Sequence, residues 1–376
     1  MQKEVISQKQ AILLITTFIM GIGVTAGIGG VSKQDVWLAM LISMAASTII
    51  IAVFCRIIKL FPQTDLFNLL DMLFGKIVGR IIALIFTWYA FHVGMVLIST
   101  ISEFIRIVSL DSTPQCVITL VTGIVIAYAV RCGIEAVGRW VTIFFPVIIV
   151  ISLSLTLLAI NMYDYDRLKP FLYDGFKPVL QDAFTLISRP FAETVIFLGI
   201  AGCFQKSSNP YKIFYYSMLI GGFYLLQVSV RTIILIGTGN TSIQMFPPYV
   251  TVRLIKLGDF IQRIELIGAV SIVTSVFTKA TAYLFFVSKG VSHLLNMDSY
   301  HVISTPVVLL TAAYSLFLFD NAVYVTEWAE KIFPLYALPY QILLPIIIWI
   351  AAEIKARKGK SNSGQNLSTA NNNAGA

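Results

Sequence analysis

Apolar stretches separated by short polar segments recur along the whole chain. Most are close to the length of about 17 to 25 residues that an α-helix needs to cross the hydrocarbon core of a bilayer. In order they cover 11–30, 37–55, 77–107, 115–130 and 140–160 and then, after a polar connection over 161–177, 179–204, 213–238, 264–287, 302–319 and 333–354. No water is available in hydrocarbon to satisfy open backbone groups, so each stretch must be helical. The pattern predicts an all-α polytopic membrane protein with about ten transmembrane helices. Beyond 356 the chain turns polar and low in complexity (SNSGQNLSTANNNAGA), which predicts a membrane domain over 1–356 and a disordered tail over 357–376.

Ten spans divide into two sets of five, at 11–160 and 179–354. Five is odd, so the second set enters from the opposite side and the halves are predicted to be inverted repeats. Proteins of that design place their site at midplane, where the first helix of each half is discontinuous. Both first helices carry breakers. Span one contains GIGVTAGIGG, and span six contains SRPFAE followed by Gly199 and Gly202. Pro190 removes an amide donor and clashes with the carbonyl four residues back, while glycine tolerates non-helical backbone.

Composition agrees with membrane insertion. Of 376 residues 57% are hydrophobic and 12% charged, with a mean hydropathy of +0.83, whereas a soluble domain carries roughly 25% charged residues. The net charge of +8 is scattered between apolar runs and forms no basic face for nucleic acid, so it reports topology. With the N-terminus placed in the cytoplasm, fifteen basic residues fall inside, nine outside and three within spans. The same placement puts Asp164, Asp166, Asp174, Asp182, Asp320, Glu327 and Glu330 outside, which predicts both termini in the cytoplasm. The polar MQKEVISQKQ leads into an apolar run without a small-residue cleavage site, which favours a first span over a removed signal peptide. Cys55, Cys116, Cys132 and Cys203 have no CxxC or metal-like spacing and read as small packing residues.

Candidate chemistry is concentrated at the two breaks. Glycine-rich membrane helices often mean only close packing, but Gly29 and Gly30 lie off the stripe formed by Gly23 and Gly27. An unwound segment accounts for all five glycines of the motif, and Thr25 adds a hydroxyl for a carboxylate or an ion. Arg189 and Glu193 flank Pro190 inside span six, where a lone charge costs at least about 2.5 to 3.5 kcal/mol. Either they neutralise one another, or Glu193 faces Thr25 and receives a substrate ammonium or a coupling proton. Lys279 sits mid-span in VTSVFTKATAYLFF, too deep to snorkel, and should point into the bundle. It partners Glu193 or carbonyls, or replaces a sodium ion. Arg231 reads as structural, near the outer end of span seven. His92 reads as an interior hydrogen-bonded residue, since no second histidine is placed to make a metal site. There is no phosphate loop, nucleophile elbow or HExxH, so neither enzyme chemistry, a cofactor nor a metal is expected. Between spans seven and eight, MFPPYVTVRLIKLGDFIQRIE has two prolines followed by an amphipathic stretch too charged to span, which predicts a short outer helix or helical hairpin lying over the bundle as a lid, with surface anchoring as the alternative.

These residues together resemble the B-subunit permeases of endospore germinant receptors, within the amino acid, polyamine and organocation superfamily. The resemblance runs to about Ala356. It rests on the glycine-rich first span, Ser112-Thr113-Pro114, Gly133-Ile134-Glu135 with Arg139, and LKPFLYDG from Leu168 to Gly175. Also part of it are Glu193 in the sixth-span break, FPPY from Phe246 to Tyr249, Arg263-Ile264-Glu265 and Phe277-Thr278-Lys279. Family members often have a proline soon after the first-span glycines, where this chain reads VTAGIGGVSK.

The resemblance implies a LeuT-like bundle, with helices one and six discontinuous, in the inner membrane of the bacterial spore. It implies a small-molecule germinant, commonly an amino acid, and A and C subunits as partners beside the lipid bilayer. The expected substrate-binding residues are Gly23, Thr25, Gly27, Phe191 and Glu193, with Glu193 and Lys279 expected to serve ion or proton coupling. The alternative is a proton- or sodium-coupled amino acid transporter.

Overall fold

A computed structural model of the chain describes residues 4–23, 30–255, 264–318 and 322–373. The first five spans are α1 (Gln8–Gly23), α2 (Val36–Leu60), α3 (Leu66–Ser109), α4 (Gln115–Cys132) and α5 (Ile134–Leu158). The sixth is a succession of short pieces. It comprises α6 (Phe176–Leu186), a π turn over Ile187–Phe191, a 3-10 stretch over Ala192–Ile196, α7 (Phe197–Ile200) and a 3-10 turn over Ala201–Cys203. Spans seven to nine are α8 (Pro210–Ile243), α10 (Ile264–Leu294) and α11 (Tyr300–Ser315), with the short α9 (Pro247–Arg253) between seven and eight. After α12 (Ala322–Glu327), the tenth span is assembled from a π turn over Trp328–Ile332, α13 (Phe333–Leu338), a second π turn over Pro339–Leu343 and α14 (Leu344–Asn373).

Among the described residues, eight segments are long and apolar enough to cross a bilayer. The other two predicted spans, α1 and α11, are described over 16 residues each. At 1.5 Å per residue that is roughly 24 Å, short of the ~30 Å hydrocarbon core, and they complete the ten. Span three begins earlier than predicted. α3 starts at Leu66, capped by Asp65, and turns at Gly75, whose φ of 78° favours glycine. Residues 66–74 therefore form an arm ahead of the membrane-crossing part. At the other end α14 continues to Asn373, past residue 357 where the sequence pattern sets a disordered tail.

Burial sorts the spans into centre and rim. In α1, Leu14, Ile15, Phe18, Ile19 and Met20 have no exposed surface. The most apolar window of α10 is 83% buried and that of span six 78%, against 22% for α5, which turns most of its surface to lipid. α1 lies against α8, α10 and α5. Its contact with α10 is close at Gly21, where a Cβ would come within 2.7 Å of the Ser275 carbonyl oxygen.

The ends of the spans meet on two faces. On the face that carries the N-terminus, Ile6 pairs through its backbone with Cys203 and Gln205 at 2.8 and 3.0 Å. The Glu4 carboxylate accepts from the Ile134 amide at the start of α5 and from the Tyr300 hydroxyl at the start of α11. On the opposite, distal face the connection before span six clasps the start of α2. Asp35 accepts from the Leu172 amide at 3.1 Å, Lys33 pairs with Asp174 at 2.8 Å, and Trp37 stacks on Phe171. Arg167 reaches across to the Ile234 carbonyl near the end of α8. Asp182 of α6 is buried and accepts from the Val31 and Ser32 amides, at 3.2 and 2.7 Å, and from the Ser32 hydroxyl.

The short helix expected after span seven is present as α9. It is wedged into the bundle, with Pro247, Pro248, Tyr249, Thr251 and Val252 buried and Phe246 and Tyr249 edge-on to Phe104. The charged residues that follow, 256–263, lie outside the described residues.

The Asp182 carboxylate is the acceptor that fixes the start of the 31–35 connection to span six. Asp182→Asn is expected to cost about 1 to 3 kcal/mol, because it removes the charge from a buried multiple acceptor. Asp182→Ala should cost more. Thermal unfolding of the purified variants in detergent checks the order wild type, Asn, Ala.

Candidate functional site

Span six is helical until Arg189, whose φ of −136° and ψ of 111° are extended. The chain then resumes as a tight 3-10 stretch, with the Thr194 hydroxyl donating to the Phe191 carbonyl at 2.6 Å. This change of direction turns Glu193 toward α10. There its Oε2 accepts from the Lys279 ammonium in an ion pair whose partners are 1% and 0% exposed. The pair is roofed by aromatic side chains: Lys279 Nζ lies 4.8 Å from the ring centre of Phe18, which stacks on Tyr283 and meets the edge of Phe197. Two opposite charges and an aromatic face surround the same buried point, contributed by spans one, six and eight.

A second polar group adjoins the first. The Tyr283 hydroxyl lies beside Glu193 and 3.5 Å from the Tyr89 hydroxyl of α3. Gln341, in the second π turn of span ten, has no exposed surface. Its amide donates to Tyr89 Oη at 2.8 Å and to the Ser188 carbonyl at 3.0 Å. Tyr336 and Tyr340 complete an aromatic wall with Tyr89, with ring centres 4.7 to 6.2 Å apart. Among the described residues Glu193 Oε1, Gln341 Oε1 and Tyr336 Oη are buried without a hydrogen-bond partner. Such groups are costly when left alone and are satisfied by an added ligand.

Of the residues singled out from sequence, Glu193 and Lys279 are brought together and Phe191 is fully buried close by. Gly23 is the last described residue of α1, while Thr25 and Gly27 lie outside the described residues. Arg189 does not form an ion pair with Glu193. Its guanidinium lies 5.8 Å from the ring centre of Phe333. The reason is geometric, since residues four apart share a face only on a continuous helix and the extended Arg189 separates the two side chains. Arg231 is structural, as expected, donating weakly to the Ser152 carbonyl and the Thr156 hydroxyl between spans seven and five. His92 sits edge-on to Trp328 and Tyr336, in ring contact with both.

Sequence reasoning missed Gln341 and Tyr283. Gln341 carried a usable signal, because it is a lone amide in an otherwise apolar stretch, LPYQILLP, and polar groups inside a membrane are seldom idle. Tyr283 carried none, since aromatic residues surround it in sequence.

The arrangement has known counterparts. The backbone superposes on Mhp1, a nucleobase-cation-symport-1 family transporter solved in a closed conformation with bromovinylhydantoin bound. The TM-score is 0.67 at 12% identity, covering 92% of this chain and 78% of that one. It also matches a variant of the manganese transporter of Eremococcus coleocola, with a TM-score of 0.54 at 13% identity over 92% and 84% of the two chains. The fold is therefore the LeuT-like inverted repeat of five plus five helices. In sequence the chain is similar to spore germination protein KB of Bacillus subtilis (strain 168), 24% identical over 97% of this chain and 99% of the relative. The profile of the spore permease family, described as "Spore germination protein", matches residues 5–322, and this chain belongs to that family.

Proposed function

We propose that this chain is the membrane-embedded, ligand-binding B subunit of a germinant receptor. A small germinant, an amino acid, binds between the broken spans one and six, and the change in the bundle is passed to A and C subunits that start germination. The observation that carries this reading is the buried Glu193–Lys279 pair at the break of span six, together with the unpartnered oxygens beside it. A protein that only anchored its partners would have no use for two charges at the centre of the bundle, where each is expensive. No catalytic step is assigned to these residues. In this reading Gly23, Thr25, Gly27, Phe191 and Glu193 contact the ligand, and the Glu193–Lys279 pair responds to it. A ligand shifts such an equilibrium only through its different affinities for the two states.

A second reading is favoured by the fold neighbours, which are transporters. In that reading the chain moves an amino acid coupled to protons or sodium, and Glu193 carries the coupling proton. Uptake of labelled amino acids by the purified protein in liposomes separates the two: binding without uptake is expected for the sensor.

Neutralising the ion pair tests its role. If Glu193 and Lys279 are merely structural, removing one charge should destabilise by roughly 3 to 5 kcal/mol, and Glu193→Gln with Lys279→Met should restore abundance and germinant response together. In the proposed site the double variant recovers abundance but not response. Immunoblots of spore membranes and germination assays on the two single variants and the double variant measure both outputs. A fully responsive double variant removes the pair from the site.

In this reading the chain lies in the inner membrane of the spore, as its family suggests, and the basic asymmetry supports both termini in the cytoplasm. Cysteines introduced at Asp174 and at Ser363 should then be labelled by an impermeant thiol reagent from outside and only from inside, respectively. The reverse pattern inverts the topology.

A further inference from the structure

Lys279 takes the Glu193 carboxylate, so the second cation of the break is left with different work. Arg189 is half-buried, at the point where span six changes direction. None of its N–H donors meets a hydrogen-bond acceptor among the described residues, and its guanidinium lies over the ring of Phe333. Glu193 and Glu330 are within electrostatic reach of it, as are the hydroxyls of Tyr89 and Tyr283, but among the described residues neither carboxylate forms an ion pair with it. A guanidinium over an aromatic face leaves its fork of donors free for an acceptor. That is the geometry in which arginine receives a carboxylate through two parallel hydrogen bonds.

The acceptors without donors lie beside it. Gln341 donates to the carbonyl of Ser188, the residue next to Arg189, and its own Oε1 has no partner. Glu193 Oε1 has none either. Among the described residues one region thus offers a fork of donors without an acceptor and two buried acceptors without a donor. A ligand with a carboxylate at one end and an ammonium at the other satisfies both sets, whereas a neutral polyol leaves the guanidinium uncompensated.

We infer that Arg189 anchors the carboxylate of a zwitterionic ligand, whose ammonium group is received by Glu193 Oε1 and Gln341 Oε1. This rests on the sensor reading above and deepens it. The ligand is gripped by side chains of spans six and ten.

Purified full-length protein in nanodiscs, titrated with the twenty common amino acids and with the carboxamide of each one that binds, tests the assignment. The wild type should bind at least one amino acid and prefer it at least tenfold over its carboxamide. In Arg189→Gln the amino acid should weaken at least tenfold and the preference for acid over amide should vanish, while Arg189→Lys should keep part of it. Because the readout is a ratio within one variant, a general loss of stability does not mimic it. A preference for the acid that survives in Arg189→Gln overturns the inference, as does the absence of binding by every amino acid in the panel. A sugar or nucleoside that binds wild type and Arg189→Gln alike also overturns it while leaving the sensor reading intact. Solute uptake in liposomes would instead count against the sensor reading and leave the carboxylate anchor standing.

Discussion

A helix broken in the middle of a membrane leaves backbone groups that no water can reach, and the rest of this bundle is arranged to take them up. In span six the interruption around Arg189 and Pro190 frees carbonyls that side chains then satisfy. Gln341 of span ten donates to Ser188, Thr194 donates to Phe191 within the turn, and Lys289 of span eight donates to Gly199 at 3.2 Å. At the distal end of span one the amides of Val31 and Ser32 go to Asp182. An open polar group in hydrocarbon costs several kcal/mol, so each donor fixes its own span to the break. Spans eight and ten cannot shift relative to span six without leaving a carbonyl unmet.

The same scarcity of partners governs the charges. A buried ion pair is weak support for stability, because desolvation consumes most of the Coulombic gain. Two hydrophobic residues in place of Glu193 and Lys279 would hold the bundle about as well. With Glu193 engaged by Lys279, the Arg189 guanidinium is left over the ring of Phe333.

Much of the architecture was legible in the sequence because its cause is one-dimensional. Span number follows from hydrocarbon thickness, and the break in span six follows from a proline that any helix must accommodate. Glu193 and Lys279 stood out for the same reason, as charges that lipid forbids. What could not be read depends on rotation. Arg189 and Glu193 are four apart and look like partners, but the extended backbone at Arg189 cancels the periodicity that would pair them. The arm over residues 66–74 merged with span three because Gly75 interrupts the helix without interrupting the hydrophobic pattern. Tyr283 gains its place from the packing of α1 and α3 on α10, which no local pattern encodes.

The distance between the break and the N-terminal face is short in bonds. Span six ends at Cys203, whose carbonyl is held by the Ile6 amide, and two residues before Ile6 the Glu4 carboxylate is shared by the first amide of α5 and the hydroxyl of Tyr300. Lys289 ties the Gly199 carbonyl to Asp65 at the head of α3, with the ammonium 3.2 Å from each. Rotation of span six about Arg189 therefore moves a junction to which spans one, three, five, eight and nine are all attached by polar contacts. Packed interiors respond to such displacement by switching between arrangements rather than by bending smoothly. The polar ties at the N-terminal face thus give the bundle a way to convert a local change at midplane into a rearrangement of that face.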